Sequence, residues 1–178
     1  MARLPYVERE DLPEEYRYIF DNLTKGGGSV GNLQRTLGHQ PRLLLQFSRL
    51  GSDLRNKTAL DPRLRELAIL TVGRLASAVY EYTHHVRIGR GVGLTEAQID
   101  FLPVWERHPA FSEQERAVIR YAEVITRDIR VPDEVFDAVA ASLDHSQMVE
   151  LTLTIAFYNL VVRFLEPLEV DLEDETVN

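Results

Sequence analysis

Six consecutive residues, Tyr80-Glu81-Tyr82-Thr83-His84-His85, carry the densest chemistry in the chain. On a helix, four-residue spacing puts Glu81 and His85 on one face, and Glu81 also reaches His84 at three. A carboxylate beside an imidazole fixes the ring's tautomer and favours its charged form, which suits general acid–base work near neutral pH. The same spacing is common on solvated helix faces, where it only pairs charges. A second carboxylate, Glu66, lies beside the apolar stripe of the preceding helix, in Arg63-Leu64-Arg65-Glu66-Leu67. If the two helices pack as an antiparallel pair, Glu66 approaches the face of Glu81 and His85 near their crossing. The plain alternative is a surface glutamate paired with Arg63 or Arg65. His84 points about 100° away from His85 round the helix, so the adjacent histidines do not form a chelating pair, and no metal is expected.

The elements that must position these residues read as helices throughout. Apolar residues recur at helical spacing, and no segment alternates as a strand would. A first helix is expected from Asp11, with Glu14 completing a capping box, and Tyr16, Ile19, Phe20 and Leu23 on one side. Lys25 to Gly31 matches a dinucleotide-loop glycine spacing, but helix rather than strand precedes it, so a plain loop is expected. Pro41 opens a helix bearing Leu43, Leu44, Phe47, Leu50 and Leu54. Asp61-Pro62 opens the next, with the stripe Leu64, Leu67, Ala68, Thr71 and Leu75. The helix of His85 runs from about Ser77 to Arg90 and stops at Gly91 and Gly93. Thr95 with Gln98 and Ser112 with Glu115 are further capping boxes, and Val131-Pro132-Asp133 starts another helix. Pro103 to Pro109 reads as a linker. From Met148 to Leu165 the helix is apolar nearly all round, which places it in a core or an oligomer interface. It is also expected to be too short and too charged to span a membrane.

Composition removes whole classes of function. The chain of 178 residues has 20 basic and 28 acidic residues, a net charge of −8, two lysines and no cysteine. Most of the excess charge sits after Arg163, in Glu166, Glu169, Asp171, Glu173, Asp174 and Glu175. One domain over 1–178 is expected, with a core of about 11–165 and a solvated, flexible acidic tail, 166–178. No basic patch for nucleic acid and no secretory or membrane segment is found, so a cytoplasmic protein without nucleic-acid or membrane partners is expected. Without cysteine there are no disulfides, thiolate metal sites or thiol redox cycles.

The stretch Leu60 to Ile99 resembles the carboxymuconolactone decarboxylase and alkylhydroperoxidase D family. Glu66 falls on the family's glutamate, Ala78 and Glu81 on the two cysteines of its redox members, and His85 on its histidine. Tyr80 also fits, as does the helix end at Gly91, Gly93, Leu94 and Thr95. Looser likeness runs through Asn32–Leu70 and Leu151–Arg163. The resemblance implies an alkylhydroperoxidase D-like all-α domain of antiparallel helix pairs. With no thiol, the redox mechanism is chemically impossible. The pattern is instead similar to the cysteine-free decarboxylase branch, which implies cofactor-free acid–base chemistry on a small carboxylate or lactone. In that reading His85 donates the proton, Glu81 orients and charges it, and Glu66 positions substrate or relays a proton. Tyr80, His84 and Arg163 are candidate substrate contacts, with Arg63, Arg74 and Arg87 as other possible cations. The alternatives are a ligand- or partner-binding member that has lost catalysis and, least favoured, a peroxidase. The resemblance also implies a homo-oligomer, a trimer or hexamer or else a dimer.

Overall fold

Capping residues and prolines cut the chain into short helices, and helices of this length need packing to hold them in water. The computed structural model describes residues 1–173, and no strand occurs among them. The α-helices are α1 (Tyr18–Leu23), α2 (Asn32–Leu37), α3 (Pro41–Asn56), α4 (Pro62–Leu75), α5 (Val79–Gly91), α6 (Glu96–Asp100), α7 (Glu113–Asp128), α8 (Asp133–Ala140) and α9 (His145–Leu168). The chain divides into two units, one of residues 54–164 and one of residues 1–53 with the segment from Leu165 onward.

In the larger unit, α4 is the central element. The Asp61 side chain accepts from the Arg63 backbone N–H at 2.7 Å and Pro62 occupies the first turn, which fixes where α4 begins. Both α5 and α7 pack against α4, and α8 packs on α7. Every residue from Leu64 to Gly73 is consequently buried. The apolar stripe expected from spacing is therefore only part of what α4 buries, and the polar Arg65 and Glu66 are carried into the core with it. Only residues 76–78 separate α4 from α5, so the two run antiparallel. The joint closes through the Ala78 N–H, which donates to the Gly73 carbonyl at 2.9 Å. Past the end of α5, Gly93 takes a φ of 93°, a left-handed turn that costs glycine no steric clash.

The segment expected as a linker is structural. Leu102–Arg107 forms a 3-10 turn, and the Arg116 guanidinium donates to the carbonyls of Trp105, His108 and Phe111. Leu102 and Trp105 join Leu67, Leu70, Leu94, Ile99, Phe111 and Ile119 in one apolar cluster. Helix α9 starts earlier than expected because Asp144 and Gln147 each accept from the other's backbone N–H, at 2.8 and 3.0 Å respectively. At 24 residues it is long and apolar enough to cross a membrane by length and composition, against the expectation from sequence. Half of its most apolar window is buried within the protein, and Leu151, Ile155, Tyr158 and Val162 are at most 2% exposed, as in a core helix.

The smaller unit is organised around Val7, Leu12, Ile19, Phe20 and Leu44. Its first helix does not open at Asp11: extended backbone at Pro13 (ψ 141°) interrupts it, leaving 3-10 turns at Arg9–Asp11 and Glu14–Tyr16 before α1. Asp11 instead accepts from the Glu8 N–H at 2.8 Å. The acidic segment 166–173, expected to be solvated and flexible, is exposed to half-buried and makes hydrogen bonds. Asp171 accepts from the Ala2 N–H at 2.9 Å, and its carbonyl accepts from the buried Asn32 side chain at 3.0 Å. Glu173 accepts from the Asn32 backbone N–H at 2.6 Å, and Arg3 pairs with Glu169. Residues 174–178 of the expected tail lie outside the described residues. Deleting residues 169–178 strands the Asn32 amide, which costs about 1–3 kcal/mol. The expected result is a fall of several degrees in the thermal midpoint, and an unchanged midpoint in a melting scan would show that these contacts contribute nothing.

Candidate active site

Helix α4 supplies Glu66 and α5 supplies Glu81 and His85, and the antiparallel pairing makes them meet. Nδ1 of His85 lies 2.6 Å from Glu66 Oε2, and Nε2 lies 2.9 Å from Glu81 Oε1. Each contact needs a proton between nitrogen and oxygen, and a neutral imidazole carries only one N–H. An imidazolium donating from both nitrogens satisfies both. Burial, at 4% exposure, opposes that charge, yet the hydrogen bonds and negative charges of Glu66 and Glu81 outweigh it and raise the pKa of His85 to about 9.

Glu66 has no exposed surface, and both of its oxygens are engaged. Oε1 accepts from Arg65 Nε at 3.2 Å, while Arg65 Nη1 donates to the Arg55 carbonyl at 2.8 Å. Two carboxylates, one imidazolium and one guanidinium leave the buried cluster neutral, which is how an interior tolerates charge. Glu81 lies in the first turn of α5, where the helix dipole favours an anion. The ring of Tyr158, from α9, stands edge-on to His85 with centroids 4.8 Å apart.

The remaining candidates divide. Tyr80 and His84 stack on each other at 4.3 Å, one turn apart on α5, and His84 Nδ1 lies 2.7 Å from the Tyr80 carbonyl. Arg163 is exposed on α9 and donates to Asn159, so the structure does not bring it to the triad. Arg63 is paired with Glu115 and Arg74 with Glu123. Arg65, read from sequence only as a surface partner, contacts the triad directly, and it holds the backbone of Arg55, for which no spacing gave a signal. An apolar groove of about 820 Å³ lies elsewhere, lined by Phe136, Ala140, Leu143, Met148, Leu153 and neighbours from the α8–α9 region. It contains none of the triad residues.

A model of the carboxymuconolactone decarboxylase family matches residues 41–124. The chain is 30% identical over 101 residues to the uncharacterized protein YdfG of Bacillus subtilis, covering 56% of this chain and 69% of that protein. Its fold is similar to that of an alkylhydroperoxidase AhpD-core, peroxidase-related protein from Ralstonia eutropha, with a TM-score of 0.85, 20% identity, and 98% and 93% of the two chains covered. A debrominase variant solved with 2,3,4-tribromopyrrole is similar at a TM-score of 0.82 and 18% identity, with 97% and 94% covered. At these identities the two structures speak for the all-helical, AhpD-like fold alone.

The charged His85 makes stability depend on pH. Its folded pKa of about 9 lies above the ordinary 6.5, so its contribution is fully present below pH 6.5 and is lost as pH rises through 9. The amount at stake is on the order of 3 kcal/mol. Nitrogen NMR of the imidazole should show both ring nitrogens protonated at pH 7, with unfolding stability declining between pH 6.5 and 9. Titration of the ring near 6.5 would contradict the arrangement.

Proposed function

The chain belongs to the carboxymuconolactone decarboxylase family, and on that premise we propose that it is a cofactor-free acid–base enzyme acting on a small carboxylate or lactone by lyase-type chemistry such as decarboxylation. One observation carries the reading: a buried imidazole with a carboxylate on each ring nitrogen. Two protons shared among three titratable groups let the cluster give and take a proton without a cofactor. Loss of CO₂ from a lactone acid leaves an electron pair delocalised onto the lactone carbonyl as an enolate. That enolate needs stabilisation at oxygen and then a proton at carbon.

The geometry supports a division of labour different from the one expected from sequence. Glu66, fully buried with both oxygens engaged, orients the ring and holds its charge as a positioning residue. Glu81 uses Oε1 for His85, which leaves Oε2 as the oxygen to meet a ligand. The proton shared by His85 Nε2 and Glu81 is then the one delivered to the substrate carbon. Ala78, 1% exposed, and Glu81 occupy the positions that the resemblance gives to the redox branch's cysteines, so the acid–base reading uses the same place with different chemistry.

The outward stripe of α9, Val149, Leu153, Ala156 and Leu160, is spaced four, three and four, which supports self-association through that helix. Light scattering on the purified chain should give a trimer or hexamer, or else a dimer, and a monomer would end that part of the reading.

The test of catalysis is a panel of small lactone acids and β-keto acids followed by CO₂ release. Glu81→Gln should lower kcat by about 10²–10⁴-fold with the fold retained. Wild-type turnover in that variant, or no turnover of any panel member by the wild type, would refute the proposal. With a peroxide and a dithiol donor no reduction above background is expected, because there is no thiol to oxidise.

A further inference from the structure

Helix α9 brings to the triad one polar atom that the surrounding protein does not satisfy. Tyr158 is 2% exposed, its ring stands edge-on to His85, and its Oη is buried without a hydrogen-bond partner. Arg55, partly buried at the end of α3, adds positive charge to the surroundings of that hydroxyl without hydrogen-bonding to it. The backbone of Arg55 is in turn fixed by Arg65, the residue that neutralises Glu66. Contacts therefore run from the triad through Arg65 to the Arg55 backbone, while Tyr158 stands against His85.

Leaving a buried hydroxyl unpaired costs about 1–3 kcal/mol, and phenylalanine would fill the same space without that cost. What the hydroxyl supplies is a donor. Burial pushes the phenol well above its ordinary range, so it stays protonated, while the nearby Arg55 adds positive charge. The other two cations near the site, His85 and Arg65, are already engaged by Glu66 and Glu81. An anionic ligand approaching Glu81 would meet carboxylate repulsion unless a cation and a donor faced it, and Arg55 with Tyr158 are the pair placed to do so.

We propose that Tyr158 Oη and the Arg55 guanidinium form an oxyanion-binding subsite, which holds the carboxylate or enolate oxygen of a small acid or lactone against the His85–Glu81 pair. The ligand class rests on the acid–base reading above, whereas the subsite itself rests on the unpaired, buried Tyr158 hydroxyl against His85 and is testable without turnover. Oxalate, a planar dianion that resembles an enediolate, is the probe, measured by titration calorimetry.

Wild-type protein should bind oxalate with a dissociation constant of about 10 mM or tighter, and Tyr158→Phe and Arg55→Met should each weaken it about tenfold or more. Arg55→Lys should keep part of the affinity that Arg55→Met loses. Tyr158→Phe should melt no lower than wild type, because it removes an unpaired polar atom from the core. A merely structural hydroxyl gives the opposite pattern, a lower midpoint with unchanged oxalate binding, and that pattern overturns the proposal. Absence of oxalate binding by the wild type overturns it as well. Glu81→Gln removes a negative charge and should bind oxalate at least as well as wild type. Lost turnover in Glu81→Gln with normal oxalate binding in both Tyr158→Phe and Arg55→Met would sink the subsite alone. Weakened binding in those two variants with normal turnover in Glu81→Gln would sink the acid–base reading alone.

Discussion

An imidazole clamped between two carboxylates inside the protein is the constraint on which the rest of the larger unit depends. His85 keeps both nitrogens occupied only if Glu66 and Glu81 arrive from opposite sides of the ring, and the two glutamates come from different helices. That requires α4 and α5 to run antiparallel through the short joint at residues 76–78. It also requires α4 to be covered by both α5 and α7, since a helix with one face in water would leave Glu66 hydrated. Arg65 then becomes obligatory, because without it a fully buried carboxylate would share a single cation with Glu81.

Such a cluster is a poor way to gain stability. Well-packed apolar side chains of similar volume commonly stabilise an interior as well as a buried ion network does, and each charge loses its hydration. The same cluster is well suited to moving a proton, because its members differ in protonation and lie at hydrogen-bond distance in a site with little water. The fold is shared with peroxidase-related proteins, but a fold hosts chemistry without specifying it. Here a carboxylate stands where the resemblance puts a thiol, and that substitution removes thiol exchange from the scaffold.

Much of this organisation is legible in the chain itself. The caps at Asp61, Thr95 and Ser112 act locally, through side-chain oxygens that accept from N–H groups two or three residues ahead, so spacing alone locates them. The pair Glu81 and His85 is legible for the same reason, being one helical turn apart. Less visible were features set by distant partners. The prolines of 103–109 suggest a linker, yet Arg116 caps the carbonyls there and Trp105 packs into the core. The acidic charges of 166–173 suggest a solvated tail, yet Asn32 and the first residues of the chain hold it in place.

By itself, then, the sequence determined the helical class, most helix starts, the carboxylate and imidazole of α5, and the exclusion of every thiol mechanism, because each depends on residue type or on spacing within a few turns. Tertiary structure decided that both carboxylates reach the ring of His85, Glu66 at Nδ1 and Glu81 at Nε2. It also decided that Arg65 rather than Arg63 neutralises Glu66, and that Arg55 and Tyr158 share the neighbourhood while Arg163 does not. The physical reason is the same in each case. The charge state of a buried group and the direction of its free atoms are set by the low-dielectric surroundings and by partners from other helices, and helical periodicity carries no information about either.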